Sequence, residues 1–363
     1  MSIIHKIALT FIDSVGHIHA KNLLAHFGTA EAIFSAKLND LMEVPGIGRV
    51  IAGQIVRSDA LKLAEAQLKF IEKHQVDVLF YTDASYPYRL RNCFDAPILL
   101  YYRGTADLNH HRILSIVGTR KATDYGRQLC KQLCEALAGY DVVVVSGLAY
   151  GIDVAAHKES VYQNIPTVGV LAHGLDRIYP PLHLPVAKKM VLNGGLLTEF
   201  PLHTIPEKEN FPKRNRIIAG LSDATIVVEA TGKGGALITA DIANSYDRDV
   251  YAYPGRTNDL SSQGCNFLIK TNRAGLISNA KDLLYCLGWE QAGPDKPAVQ
   301  LQMPLGLSDS EQLIVGFLKD SPLRIDELAI ACSIPQSQLA MPLLNLEMQG
   351  ILVALPGKLY KLN

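Results

Sequence analysis

Four short turns in the middle of the 363-residue chain combine glycine with cationic or polar residues, directly after runs of β-branched residues. They contain, in order, Gly118, Thr119, Arg120 and Lys121; Ser146, Gly147 and Gly151; His173 and Gly174; and Lys233, Gly234 and Gly235. Glycine lets the backbone come close to a ligand. The first turn of a following helix offers unpaired N–H groups and the positive end of the helix dipole, which suits a phosphate. We therefore predict that these residues bind phosphate.

The motifs of common phosphate-containing cofactors are absent from these turns. None reads GxGxxG with a downstream acidic residue for a ribose, and none reads GxxxxGK[ST]. A dinucleotide cofactor or a nucleoside triphosphatase site is therefore not expected, and we predict no cofactor. One such turn would be weak evidence, because tight strand-to-helix connections need glycine for packing alone. Four of them in one sheet favour a ligand.

A second cationic segment begins a predicted helix farther along the chain. Its members are Phe211, Lys213, Arg214, Asn215 and Arg216. Cations are unfavourable at the positive end of a helix unless an anion compensates them. Arginine presents a planar fork of donors to phosphate oxygens, and a phenyl ring can stack a base. The segment is therefore predicted to bind phosphate, with Phe211 stacking a base.

Two acids accompany the turns, and a carboxylate repels phosphate. Asp153 is therefore expected to cap the helix that carries His157. Glu229 is expected to order neighbouring N–H groups or Arg216. The eleven histidines are scattered, and no carboxylate cluster with metal-like spacing occurs at these loops. We predict no catalytic residue and no metal site.

The elements that must position these residues lie between residues 77 and 288, where candidate strands alternate with helical stretches. The strands are Ile113–Val117, Val142–Val145, Thr167–Leu171, Leu196–Glu199, Thr225–Val228 and Val250–Tyr253. This alternation predicts an α/β fold with a Rossmann-like, doubly wound, mainly parallel sheet. The turns that follow parallel strands share one edge of the sheet, so we expect a single cleft there.

The block before the sheet, residues 1–76, shows only helical periodicity. It predicts an all-helical domain of the SAM or helix-hairpin-helix type. Val44–Ala52 resembles the hairpin turn of that motif, whose N–H groups can face a DNA phosphate. Two roles stay open for this block: DNA binding, or packing against the central domain.

The block after the sheet is predicted to be a winged helix over residues 307–363, following a proline-containing linker over 289–306. Three helices precede an alternating stretch, Ile351–Leu362, with Pro356 at its turn. The predicted recognition helix, Gln336–Gln349, has no Lys or Arg. Because phosphate neutralisation supplies most non-specific DNA affinity, we expect this domain to contact protein instead.

The overall composition is that of a globular protein with no global charge signal. Apolar residues make up 48% and charged residues 19%, and 35 Lys and Arg balance 35 Asp and Glu. Binding of an anion must therefore arise from local arrangement. No targeting signal or membrane-length apolar segment is evident, and the six cysteines form no CxxC pair. We expect a cytoplasmic protein with no membrane partner.

Several longer motifs together resemble the DNA-processing protein A family, also called the DNA-protecting or Smf family. They are SIVGTRKATDYG, VVVVSGLAYGIDVAAH, HGLDRIYP, LLTEFP, FPKRNRIIAGLSDATIVVEA and GKGGALITADIAN, in that order between Tyr81 and Leu284. By position, the family's GxR arginine falls on Arg120. Its SG…GID turn falls on Ser146, Gly147, Gly151, Ile152 and Asp153, and its RNR patch on Arg214, Asn215 and Arg216.

The resemblance implies a function as well as a fold. It implies a non-catalytic protein that binds single-stranded DNA in its Rossmann-like domain and forms a homodimer, which we expect to form through that domain. It further implies that the protein protects incoming strands in natural transformation and loads the RecA recombinase onto them, displacing single-strand-binding protein.

Two other functions compete with this one. Similar sheets occur in nucleotide-processing phosphoribohydrolases, whose PGGxGTxxE loop carries a catalytic glutamate. The corresponding stretch here, Gly232–Asp241, has no Glu at that place, and Asp241 is displaced. Because the acid needed for catalysis is not at its expected place, nucleotide hydrolysis is the alternative hypothesis and not the favoured one. A pure scaffold would leave the cations of Lys213–Arg216 unexplained.

Overall fold

The computed structural model describes residues 3–289, 307–319, 321–355 and 357–362. The chain forms two compact units, Met1–Ala274 and Gly275–Asn363. Except for Trp289, the predicted linker lies outside the described residues, and so does Pro356 of the predicted wing turn. The domain boundaries given above therefore stay predictions.

The first unit begins with six helices, as the periodicity predicts. They are α1 (Ile3–Leu9), α2 (His17–Phe27), α3 (Ala30–Ser35), α4 (Leu38–Met42), α5 (Arg49–Arg57) and α6 (Ala60–His74). Apolar residues at helical spacing, among them Ile7, Leu23 and Ile33, are fully buried in their shared core. Gly46 turns the chain between α4 and α5 with a φ of +85°, a conformation that favours glycine.

These helices pack against the sheet that follows them. The Lys6 ammonium lies 2.6 Å from the Asp83 carboxylate. The side-chain oxygen of Gln67 in α6 accepts a hydrogen bond from the Leu202 N–H at 3.0 Å. Phe80, at the end of the first strand, belongs to the helical core. Of the two roles left open, the contacts show the packing role, and the DNA-binding role stays a prediction.

The rest of the first unit alternates strands and helices. Its elements are β1 (Asp77–Phe80), α7 (Tyr88–Arg91), β2 (Leu99–Gly104), β3 (Ile113–Val117), α8 (Asp124–Leu137), β4 (Val143–Ser146), α9 (Ile152–Tyr162), β5 (Thr167–Val170), α10 (Leu184–Met190), β6 (Gly194–Thr198), α11 (Asn210–Leu221), β7 (Ala224–Val227), α12 (Gly235–Ser245), β8 (Asp249–Ala252) and α13 (Gln263–Lys270). The six predicted strands are confirmed, and no bound moves by more than two residues.

The strands of this unit lie side by side in the order β1-β2-β6-β5-β4-β3-β7-β8. From β6 to β8 neighbouring strands run parallel, whereas β1 and β2 add an antiparallel edge. β3 and β4 are buried along their whole length, because helices cover both faces. The predicted Rossmann-like sheet is therefore confirmed.

The strand order reverses at β3. The chain moves from β3 through β4 and β5 to β6 on one side, then crosses back to place β7 on the other side of β3. Connections leave the carboxyl ends of β3 and β7 in opposite directions, so a crevice opens between them. Ligands of open α/β sheets bind at such a point.

The second unit is a small helical domain with a three-stranded sheet. Its elements are β9 (Gly275–Leu276), α14 (Ala280–Cys286), α15 (Asp309–Leu318), β10 (Leu323–Arg324), α16 (Ile325–Cys332), α17 (Gln336–Met348), β11 (Leu352–Leu355) and β12 (Leu359–Leu362). β11 and β12 form the antiparallel wing, and β10 pairs with β12. Ile314, Leu328 and Leu339 meet in the core. The predicted winged helix is confirmed.

Among the helices that the structure describes, none is both long enough and apolar enough to cross a bilayer.

Candidate functional site

A cavity of about 560 Å³ opens where the strand order reverses, and we call it the cleft. Its walls are the turn after β3, the turn after β7, the start of α11 and the loop before α11. Four cations line it: Arg120, Lys208, Arg214 and Lys233. Because these residues come from three separate segments of the chain, a ligand in the cleft would meet positive charge on several sides.

A smaller cavity of about 60 Å³ adjoins the cleft, and we call it the side pocket. It shares Arg120, Phe211 and Arg214 with the cleft and adds Tyr150 and Tyr179. The two tyrosines are 46% and 43% exposed, so their rings are accessible to a ligand. The sequence interpretation missed both, although Tyr150 lies inside the SGLAYGID motif.

An aromatic ring lies at the boundary between the two cavities. The Arg120 guanidinium lies over the Phe211 ring, 4.9 Å from its centroid. The Tyr179 ring lies 6.3 Å from that of Phe211 and is tilted by 55°. A guanidinium over a ring is favourable electrostatically, and the arrangement sets an aromatic surface next to a cation.

Arg214 and Asp153 form a buried charge pair beneath the cleft. The Arg214 guanidinium donates to the carbonyl oxygens of Gly147 and Val170. Burial lowers the pKa of Arg214 to about 10, with Asp153 opposing this and Arg120 adding to it. Arg214 therefore stays cationic at neutral pH. Burial raises the pKa of Asp153, and Arg214 opposes that shift.

Asp153 does not cap the helix as predicted. Gly151 is the residue at the N-cap of α9, and Asp153 lies within its first turn. The Asp153 carboxylate instead accepts a hydrogen bond from the Ala149 N–H at 3.4 Å and interacts with Arg214. Its structural role is to compensate a buried cation, because an uncompensated buried charge is costly.

Glu229 holds the turn after β3 in place. Its carboxylate accepts hydrogen bonds from the Thr123 N–H at 2.9 Å and from the Thr123 hydroxyl. Thr123 in turn caps α8 by accepting from the Gly126 N–H. Of the two roles expected for Glu229, the structure shows the ordering of N–H groups. The pairing with Arg216 was wrong.

Arg216 points away from the cleft, contrary to the prediction that it binds phosphate there. It pairs with Glu199 and donates to the Asp95 carbonyl. The reason is helical phase. Arg214 and Arg216 both lie in α11, and residues two positions apart do not share a face of a helix. Lys213 and Lys121 are exposed but do not line either cavity.

Ser146 and His173 are buried, which contradicts their predicted role in binding phosphate. The Ser146 hydroxyl donates to the Ile116 carbonyl at 2.6 Å. The His173 ring contacts the Gly174 carbonyl and accepts from the Tyr179 N–H. Burial lowers the pKa of His173, which favours the neutral form of its ring in the side pocket.

The glycines of the four turns fall into two groups. A Cβ on Gly118, Gly147, Gly151 or Gly174 would collide with atoms of the protein itself. Gly234 and Gly235 line the cleft, and the nearest atoms to a Cβ there are 3.7 and 3.9 Å away. Only the turn after β7 therefore keeps its glycines open toward a ligand, and the other four glycines serve packing.

Other predicted residues do reach the cleft. Gly118, Thr119, Arg120, Phe211, Arg214, Asn215 and Lys233 line it together with Gly234 and Gly235. Lys208 also lines it but was not predicted, because it lies in a loop without a motif. Among the described residues that line the cleft, Asp153 is the only acid.

The chain matches known protein-family models in each of its three parts. The model of the family described as DNA recombination-mediator protein A matches residues 77–288, more than half of the chain. The chain belongs to this family. A helix-hairpin-helix motif matches residues 8–58, and the winged-helix domain of the same family matches residues 278–358.

Individual members of the family resemble the chain over most of its length. Protein Smf of Synechocystis is 31% identical over 392 residues, which covers 98% of this chain and 97% of that protein. The crystal structure of DNA processing protein A from Streptococcus pneumoniae covers 77% of this chain and 96% of that one, with 30% identity and a TM-score of 0.68.

A second solved structure comes from Helicobacter pylori. It covers 60% of this chain and 98% of that one, with 30% identity and a TM-score of 0.54. That study describes a single-stranded DNA binding mode of DNA processing protein A.

Substitution by alanine should destabilise the protein at the first group of glycines and have little effect at the second. Gly151→Ala adds a Cβ at a φ of +80° and against the Thr119 carbonyl, so the free energy of unfolding should fall by about 2–4 kcal/mol. Gly235→Ala is the matched control, because the first position of α12 has room for a methyl group. Its stability should stay within about 1 kcal/mol of wild type. Urea unfolding followed by circular dichroism measures both, and equal losses would contradict the division.

Proposed function

We propose that this protein binds single-stranded DNA in the cleft and acts as a recombination mediator. The observation that carries the proposal is that Arg120, Lys208 and Lys233 line one cleft at the carboxyl edge of the sheet together with Phe211, whose ring lies under the Arg120 guanidinium. Cations that follow a backbone, beside aromatic rings that stack bases, are the combination that single-strand binders use. Membership of the family and the H. pylori relative support this proposal.

A single strand suits the cleft better than a duplex. Its volume of about 560 Å³ is that of a small-ligand site. A flexible strand can place one phosphate in it and an unstacked base against Phe211, whereas a base-paired duplex keeps its bases stacked. Because every base has an aromatic face, we expect little sequence preference.

The contacts of the nearby acids argue against the hydrolase alternative. A phosphoribohydrolase needs a catalytic carboxylate in the turn after the strand. Asp241, the displaced acid, pairs with Arg273 and does not line the cleft. Asp153 is engaged by Arg214 and the Ala149 N–H. The non-catalytic function therefore remains our proposal.

The proposed role in the cell follows the family. The protein would protect incoming single strands during natural transformation and load RecA onto them, displacing single-strand-binding protein. We also propose a homodimer through the Rossmann-like domain. Leu260 and Phe267, which are 69% and 48% exposed, are candidates for its surface.

The winged helix is proposed to contact protein. Its α17 carries no Lys or Arg to neutralise phosphate. Met341, Leu344 and Met348 are exposed on this helix.

Binding to a labelled oligo-dT across a salt series tests the cleft directly. Affinity should fall steeply with salt and exceed that for a duplex of equal length. Lys208→Ala and Lys233→Ala should each make the slope of log K against log salt shallower by about 0.7, because each removes one phosphate contact. Lys131→Ala, an exposed lysine of α8 outside the lining of the cleft, is the matched control. An equal preference for duplex, or unchanged slopes in both cleft variants, would refute the proposal.

RecA loading needs its own measurement. On an oligonucleotide covered with single-strand-binding protein, the wild-type chain should accelerate RecA filament assembly, followed as DNA-dependent ATP hydrolysis. The Lys208→Ala/Lys233→Ala variant should lose this stimulation, because it no longer holds the strand. If the wild-type chain binds oligo-dT but does not stimulate RecA, the mediator role fails while strand binding stands.

A further inference from the structure

Two adjacent histidines face one carboxylate at the edge of the sheet opposite to the cleft. His110 and His111 precede β3, and Asp141 precedes β4. The His110 Nε2 lies 3.1 Å from the Asp141 Oδ1, and the His111 Nε2 lies 3.9 Å from the Oδ2. The three donor atoms all lie within 4.8 Å of one another. The cleft lies at the carboxyl ends of the strands, so this cluster is separate from it.

The sheet itself brings these residues together. In the parallel pair of β3 and β4, Ile113 stands opposite Val143. The Val143 N–H donates to the Arg112 carbonyl at 2.9 Å, which extends the ladder to the residue next to the histidines. The juxtaposition therefore follows from strand register and does not depend on a chance contact of surface side chains.

A buried arginine fixes the backbone of both histidines. The Arg89 guanidinium, 1% exposed, donates to the His110 carbonyl at 2.8 Å and to the His111 carbonyl at 3.1 Å. Its Nε also donates to the Asp223 carboxylate at 2.7 Å. A paired, buried cation that holds two consecutive carbonyls leaves the histidine backbone little freedom, so the Cα positions from which both rings extend are fixed.

The orientation of the His110 ring fits a metal ligand. Its Nδ1 lies 3.0 Å from the Arg112 carbonyl, and ligating histidines commonly donate their other ring N–H to such a carbonyl. In that tautomer the Nε2 lone pair faces the Asp141 carboxylate, and two acceptors at 3.1 Å need a proton or a metal ion between them. The other tautomer, in which Nδ1 accepts from the Arg112 N–H at 3.2 Å, places a proton there instead.

His111 favours a metal over a proton. Its ring lies 4.4 Å from that of His110, centroid to centroid, and its Nε2 faces the same carboxylate. A proton joins one nitrogen to one oxygen, whereas a metal ion can take all three donors at once. Two imidazoles and one carboxylate form a ligand set that Zn²⁺ accepts, with water in the remaining position.

We propose that His110, His111 and Asp141 form a binding site for a divalent transition metal of the Zn²⁺ class. A bound ion would join the loop before β3 to the turn before β4. Sequence reasoning predicted no metal site, because Asp141 lies beyond β3 and α8 and no spacing motif connects it to the histidines.

Titration of the metal-free full-length chain with Zn²⁺, against a chromophoric chelator, tests the site. The wild-type chain should bind one ion through this cluster. Asp141→Asn and His111→Ala should weaken its binding by at least about 10-fold, because each removes a ligand. His26→Ala, an exposed histidine outside the cluster, should bind as wild type does.

Two further readouts keep the result interpretable. Co²⁺ in place of Zn²⁺ should give visible d–d absorption that Asp141→Asn abolishes. Binding of oligo-dT should be unchanged in every variant, which separates this site from the cleft and shows that the variants are folded. No stoichiometric binding by the wild-type chain, or equal affinities in wild type and Asp141→Asn, would overturn the proposal and leave a proton-linked His–Asp pair.

Discussion

The reversal of strand order at β3 is the constraint on which the rest of the site depends. Because β4 and β7 lie on opposite sides of β3, the helices that follow β3 and β7 diverge and leave the cleft uncovered. A cation buried at the floor of such a crevice needs compensating partners within the protein. Arg214 meets that demand through two backbone carbonyls and the charge of Asp153.

The buried pair also explains why an acid occurs at a site that we propose to bind an anion. Removing Asp153 would leave a desolvated guanidinium without compensation, which costs more than the repulsion that a screened carboxylate imposes. Exposed cations at the rim, Lys208 and Lys233, are then left to meet the ligand. In the binding mode that we propose, Arg214 is a structural cation below the cleft, and Lys208 and Lys233 above it would contact the strand.

The sequence predicted the fold well, because the six parallel strands are short β-branched runs with helices between them. It predicted the site only in part. The glycine turns identified the edge of the sheet at which the cleft lies. They did not reveal that the space beside Gly118 and Gly151 is occupied by other atoms of the protein, since those atoms come from distant segments. The predicted phosphate contact of Arg216 was wrong because the prediction considered the number of cations in the segment but not which face of the helix each one occupies. Lys208 lies in a loop without a motif, and Tyr179 lies inside the HGLDRIYP motif but was given no role in the sequence analysis.

The most direct test of the account is lysine footprinting, in which acetylation of each lysine is measured by mass spectrometry with and without oligo-dT. The account predicts that Lys208 and Lys233 become protected when the oligonucleotide binds. Lys131 and Lys188, which are exposed outside the lining of the cleft, should react equally in both states. Tight binding of oligo-dT without protection of Lys208 and Lys233 would contradict the claim that the cleft holds the strand.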